Sequence, residues 1–296
     1  MTNKDLKGMG IALITPFKED ESVDYEALLK LVEYQIQNAT DYLVVLGTTA
    51  ETSTLTEEEQ SEIVRAVVTQ VNRRIPVVQG VSGNFTRAVV KKLKEGNYQG
   101  IDAILSVVPY YNKPSQEGIY QHFKAIAEAT DLPVILYNVP GRTGTNMSAE
   151  TTVRIAHEFE HVIAVKEASG NFAQIDAILK NKPDHFQVIS GDDGITFPMI
   201  ALGAVGVISV LGNAFPGDFS RMVNLALAGD YDSARTIHSR MTEMIELLFV
   251  DGSPAGVKSL LNVMGFCQNK LRLPLVPARI PTSEKIRKAW QKMNIN

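Results

Sequence analysis

A handful of polar residues, each closing an apolar run, carry the chemistry that can be read from this chain. Lys166 follows Val-Ile-Ala-Val directly. Its ammonium would sit at the mouth of an apolar interior, where desolvation disfavours the charged form and lowers the pKa. At the reference pKa of ~10.4 a lysine is neutral in only about one part in a thousand near pH 7.4. A depressed pKa supplies the free amine that attacks a ketone and forms a Schiff base. Tyr137 stands near the end of the preceding run. A phenol held within hydrogen-bond reach can pass protons to and from a carbinolamine. Thr48 and Thr49 follow Gly47, and their hydroxyls and backbone N–H groups suit a substrate carboxylate. Arg142, in Pro-Gly-Arg-Thr-Gly, offers a planar fork that grips a carboxylate at two points. Each has a plainer alternative. These are, in turn, a solvated lysine paired with Glu167, a core aromatic, a loop that caps the next helix, and a solvated loop arginine.

Other polar clusters are less informative. Asp192-Asp193 invites a metal reading, but the five histidines show no ligand spacing. His157 and His161 are four apart, yet they flank a helix end and read as surface residues, so no metal site is expected. Tyr110 and Tyr111 read by default as packing aromatics. The one cysteine, Cys267, permits no intrachain disulfide and no cysteine metal cluster, which fits a reducing cytoplasm.

The elements that must position these residues follow from the apolar pattern. Eight runs rich in Val and Ile recur at 10–16, 42–47, 76–81, 103–109, 133–140, 162–166, 186–191 and 206–211. Most are nearly continuous in apolarity, as strands buried on both faces should be. Amphipathic stretches follow at 24–38, 57–71, 85–95, 116–129, 149–158, 172–179, 195–202 and 218–228. Thr56 with Glu59 is a capping-box pattern. Eight strand–helix units predict a (β/α)₈ TIM barrel, with its active site at the C-terminal ends of the strands. A doubly wound sheet is the alternative, but no Gly-x-Gly-x-x-Gly follows the first strand. Residues 1–229 are expected to form the barrel. Residues 230–296 are expected to form a helical extension packed on it, with helices at 231–249, 255–264 and 284–293 and Pro-rich turns around 273–281.

Composition excludes several function classes. The chain has 296 residues, 45% hydrophobic and 21% charged, ordinary for a globular protein and long enough for one large α/β barrel. Lys+Arg 29 against Asp+Glu 33 gives −4, and with no basic run a nucleic-acid partner is not expected. The N-terminal residues lack the apolar stretch of a signal peptide, and runs such as 203–211 are too short to span a bilayer. A cytoplasmic protein without a membrane partner is expected.

Four motifs carry a family resemblance across nearly the whole chain. Gly-Thr-Thr-x-Glu at 47–51, Pro-Tyr-Tyr-Asn-x-Pro at 109–114, Tyr-Asn-x-Pro-x-Arg-Thr at 137–143 and Lys-Glu-Ala-Ser-Gly at 166–170 resemble the 4-hydroxy-tetrahydrodipicolinate (dihydrodipicolinate) synthase family. The resemblance implies a cofactor-free lyase of the class I aldolase type. Pyruvate would condense with Lys166, and the enamine would attack L-aspartate 4-semialdehyde in the diaminopimelate route to lysine. It implies Tyr137 as general acid/base in a relay with Thr48 and Tyr111, the latter reaching in from an adjacent subunit of a homotetramer built as a dimer of dimers. It places the pyruvate carboxylate on Thr48 and Thr49 and the semialdehyde carboxylate on Arg142, with Gly191 and Ile208 lining the pocket.

Ala50 departs from the motif, where relatives usually carry glycine; a Cβ there costs about 1–2 kcal/mol only if the backbone is left-handed, and tolerance is expected. Other pyruvate lyases, such as N-acetylneuraminate lyase or 2-keto-3-deoxy-sugar-acid aldolase, share the lysine and tyrosine. The Thr-Thr pair and the Gly-Arg-Thr loop favour the small carboxylate-bearing substrate. A non-catalytic keto-acid-binding barrel would not need the proton relay. Regulated members of the family bind lysine beside the residue matched by Tyr110. This chain keeps Asn84 but has Ala88 at a glutamate position and Glu57 and Gln60 at histidine positions, so weak or absent lysine inhibition is expected.

Overall fold

In the computed structural model, which describes residues 6–294, eight parallel strands close into a barrel in chain order. They are β1 Gly8–Ala12, β2 Tyr42–Val45, β3 Val77–Gly80, β4 Ala103–Val107, β5 Val134–Asn138, β6 Val162–Glu167, β7 Gln187–Ser190 and β8 Gly206–Ser209. Each overlaps one of the apolar runs. β1 begins two residues earlier than its run. Gly8 has no side chain to register as apolar, yet a Cβ on Gly206 would stand 1.9 Å from the Gly8 carbonyl oxygen. The two glycines therefore let β1 and β8 approach and close the barrel.

The helices that cover the strands are α1 Tyr25–Gln37, α2 Glu57–Val71, α3 Thr86–Glu95, α4 Gln116–Ala127, α5 Pro140–Thr143, α6 Ala149–Glu158, α7 Phe172–Asn181, α8 Thr196–Leu202 and α9 Pro216–Leu227. Several of their starts are set by side-chain caps. Asp24 accepts from the Ala27 N–H, Ser115 from Gly118 and Ser148 from Thr151, and Thr56 with Glu59 completes the capping box. Such caps are each worth about 1 kcal/mol. Two apolar layers result. One fills the barrel and includes Val44, Val78, Ile135, Tyr137, Ile189 and Ile208. The larger lies between strands and helices.

Three helices follow the barrel, α10 Tyr231–Phe249, α11 Ala255–Val263 and α12 Ile280–Asn294. α10 packs along α9, α12 packs on α10 and α11, and α11 touches the turn Leu211–Asn213 that follows β8. α11 therefore stands at the end of the barrel where the strands finish. Two helices start earlier than the sequence predicts, α9 at Pro216 and α12 at Ile280. In both, a proline signals a turn in the sequence but sits in the first helical turn, where its missing N–H costs nothing. The Pro-Gly-Arg-Thr segment, expected as a loop, is a one-turn helix, α5. Residues 1–5 and 295–296 of the expected units lie outside the described residues.

Candidate active site

Strand alternation sends Lys166 and Glu167 to opposite faces of β6. Lys166 is only 5% exposed. Burial pushes its pKa down to about 8, against the opposing pull of Asp193, with Arg142 reinforcing the fall. The Glu167 carboxylate is buried on the other face, where it accepts from Asn138 Nδ2 (3.1 Å to Oε2), the Ser169 N–H (2.7 Å to Oε1) and Gln174 Nε2 (3.1 Å to Oε2). The solvated Lys166–Glu167 pair is thus excluded, and Glu167 instead braces the ends of β5 and β6.

Tyr137 is the register partner of Lys166 on β5. It is buried among the residues that fill the barrel, and desolvation raises its phenol to about 12. The core-aromatic alternative describes its packing, but the Lys166 nitrogen lies over its ring. Gly191 follows β7 and approaches the lysine closely. A Cβ there would meet Ala168 Cβ at 2.8 Å and Lys166 Cγ and Cε at 3.1 Å. Ile208 is buried on β8 in the same inner layer.

Thr48 and Thr49 form a 3-10 turn with Ala50 just beyond β2. They do not cap α2, because Thr56 does. Ala50 lies inside this turn, and the left-handed position falls on the next residue, Glu51, with φ 55°. The turn is tied down by Thr15 Oγ1 donating to the Ala50 carbonyl at 2.8 Å and by Thr52 Oγ1 donating to the Gly47 carbonyl at 2.9 Å. Arg142, on α5, donates from Nη2 to the Ser253 carbonyl at 3.3 Å and so is not a free loop arginine.

One predicted member stands apart. Tyr111 is 86% exposed and held at φ 75°, and Tyr110 is also exposed. Neither packs in the core of the chain, which corrects the default reading of the pair. Lys166, Tyr137 and Gly191 come together at the ends of β5–β7, with Ile208 in the same inner layer as Tyr137, whereas Tyr111 is exposed. Among the described residues no group of three or more His, Cys, Asp or Glu is arranged to hold a metal ion, and no helix is long and apolar enough to cross a membrane.

Two features escape the sequence. Asp193, set aside there with the metal reading, is buried and accepts the N–H groups of Val210 (3.1 Å) and Leu211 (2.8 Å) on Oδ2. Its Oδ1 has no hydrogen-bond partner, and burial raises its carboxyl to about 6. Glu51 forms a fully buried ion pair with Lys258 of α11. No local signal in the sequence links positions that far apart.

Residues 5–293 match the model of the "Dihydrodipicolinate synthetase family". The chain is 74% identical over 295 residues to the 4-hydroxy-tetrahydrodipicolinate synthase of Parabacteroides distasonis, covering 100% of this chain and 99% of the relative. It is 68% identical over 295 residues to the enzyme of the same name from Phocaeicola vulgatus, with the same coverage. Among solved structures, that of the chloride-inhibited dihydrodipicolinate synthase of Acinetobacter baumannii in complex with pyruvate superposes with a TM-score of 0.95. Sequence identity there is 39%, over 99% of this chain and 100% of that one.

Proposed function

The chain belongs to the dihydrodipicolinate synthetase family, its activity is the lyase reaction of 4-hydroxy-tetrahydrodipicolinate synthesis in the diaminopimelate route to lysine, and we propose that this reaction runs through a Schiff base on Lys166. The observation that carries this reading is a buried lysine with its pKa near 8, in register with a buried tyrosine. The neutral amine adds to the keto carbon of pyruvate, and loss of water gives the imine. Loss of a methyl proton then gives the enamine, whose carbon attacks the aldehyde of L-aspartate 4-semialdehyde. The amino group of the adduct displaces Lys166, which closes the ring and frees the enzyme. The protonated imine is itself the electron sink, so no cofactor is required.

Tyr137 moves protons to and from the carbinolamine. Thr48 and Thr49 hold the pyruvate carboxylate, Arg142 takes the semialdehyde carboxylate, and Gly191 and Ile208 shape the pocket. Tyr111 completes the relay with Thr48 and Tyr137 in the site of a neighbouring subunit, a role supported by its exposure. The protein is accordingly a homo-oligomer, a tetramer built as a dimer of dimers, in the cytoplasm. Residues 1–229 are its catalytic barrel, and residues 230–296 an extension rather than a second domain.

Borohydride reduction in the presence of pyruvate, followed by peptide mass spectrometry, tests the mechanism. The adduct is expected on Lys166, and Lys166→Ala should lose both adduct and turnover. An adduct on another lysine, or none, would overturn it. Turnover of aspartate semialdehyde but not of sialic acid checks the substrate class.

A further inference from the structure

The turn that bears Thr48 and Thr49 is held from the far end of the chain. Glu51, directly after it, has left-handed backbone (φ 55°, ψ 35°), which a non-glycine residue keeps only where its surroundings fix it. Both side chains of the Glu51–Lys258 pair are 0% exposed. Lys258 Nζ donates to Glu51 Oε1 and to the Lys270 carbonyl at 2.9 Å, and the Arg272 backbone N–H donates to Glu51 Oε2 at 3.1 Å. Both cations lie over the Phe17 ring, Lys258 Nζ 4.2 Å and the Arg272 guanidinium carbon 4.4 Å from its centre. That guanidinium goes on to both carboxylate oxygens of Glu59 (2.7 and 2.6 Å) and to the carbonyl of Thr54 (2.9 Å). The segment from 258 to 272 therefore grips the β2–α2 loop at two places. Ser253, just before α11, holds Arg142 through its carbonyl.

A buried ion pair is weak evidence for stability, because desolvation offsets its attraction; what it can supply is a single geometry. We propose that Lys258 is a positioning residue for the reaction, fixing the Thr48–Thr49 turn through Glu51 in the conformation that receives the keto-acid carboxylate. The helical extension then completes a site whose reacting groups all belong to the barrel. This rests on the role given above to Thr48 and Thr49.

Two variants separate positioning from mere structure. Lys258→Met leaves Glu51 buried without its cation, and Glu51→Gln/Lys258→Met removes both charges. Breaking a buried pair destabilises strongly, whereas replacing both partners is often neutral. If the pair is only structural, the double variant should recover the melting temperature and the pyruvate KM together. If it positions the turn, the two readouts part. The double variant then melts close to the wild type while its pyruvate KM stays raised by about tenfold or more, with Lys166 still trapped by borohydride at saturating pyruvate. A wild-type KM in the double variant, or in folded Lys258→Met, would overturn the proposal. Should neither fold, Glu51→Asp keeps the charge but withdraws it by one methylene, and the same two KM outcomes decide. Absence of an adduct on wild-type Lys166 would instead remove the Schiff-base reading, whatever the variants do.

Discussion

Tyr137 and Lys166 face each other in register across β5 and β6, and the Lys166 nitrogen lies 4.4 Å from the centre of the Tyr137 ring. One apolar environment drives the two groups in opposite directions, the amine down to about 8 and the phenol up to about 12. Near neutral pH the neutral fraction of Lys166 is then raised far above that of a free lysine, while Tyr137 keeps its proton. Those are the states that imine formation needs, a free amine to add and an acid to protonate the departing hydroxyl.

The rate of adduct formation should rise with pH and level off above about pH 8, following the neutral amine. Asp193 opposes the fall of the Lys166 pKa, so its carboxylate favours the ammonium. Removing that charge in Asp193→Asn should let the free amine persist to lower pH and move the rising limb in the acid direction. Rates of borohydride trapping between pH 6 and 9 (about the range spanning both groups) measure it. An unmoved limb, or one displaced to higher pH, contradicts the assignment.

Gly191→Ala should displace Lys166. The new methyl would meet Ala168 Cβ at 2.8 Å and the Lys166 side chain at 3.1 Å, so Lys166 or the loop after β7 must shift. Misplacement of a reacting group by an ångström can cost about 10²-fold, and a loss of that order in kcat is expected with the protein still folded. Steady-state kinetics beside a melting curve decide, and undiminished kcat would show that the lysine does not need this space.

Tyr111→Phe should slow turnover, on the order of 10²-fold for a lost relay hydroxyl, and leave pyruvate binding nearly intact. Tyr111 is 86% exposed in one chain, and if it serves a neighbour's site as proposed, activity should also fall on dilution. Following mass and activity across the same dilution series tests the shared site, and a fully active monomer would rule it out.

Inhibition by free lysine should be weak. A cleft of about 1420 Å³ between α2 and α3 is lined by Glu57, Gln60, Asn84, Ala88 and Lys92. The chain's own Lys92 Nζ already donates to Gln60 Oε1 there, at 2.5 Å. An incoming ammonium would face this amine and lack a carboxylate at position 88. Initial velocities with lysine up to the millimolar range check it; strong, saturable inhibition would mean that another group has replaced the missing carboxylate.

The residues legible in the sequence are those whose meaning is local. Lys166 stands out because a charge ends an apolar run, and the same run fixes β6 and therefore Tyr137 as its neighbour across the sheet. The eight strands are legible for the same reason, since burial on both faces leaves a continuous apolar signature. Residues whose meaning depends on distant partners stay silent. Glu51 looks like one letter of a loop motif until Lys258 is seen against it, 207 positions away. Asp193 looks like half of an acidic pair until its burial and its two backbone donors are known. Pro216 and Pro281 mislead by a few residues because a proline breaks a helix interior but is welcome in the first turn.

The distance along the chain between Glu51 and Lys258 also orders events during synthesis. A ribosome adding about 5–20 residues per second needs roughly 10–40 s to travel from the first of these residues to the second. All eight strands have been translated before α11 exists, so the nascent barrel already carries Lys166 while the Glu51 carboxylate has no cation to meet. If the pair positions the turn as proposed, the turn can settle only after residues 258–272 have followed the whole barrel out of the ribosome, and competence for the first substrate then comes later than the barrel itself.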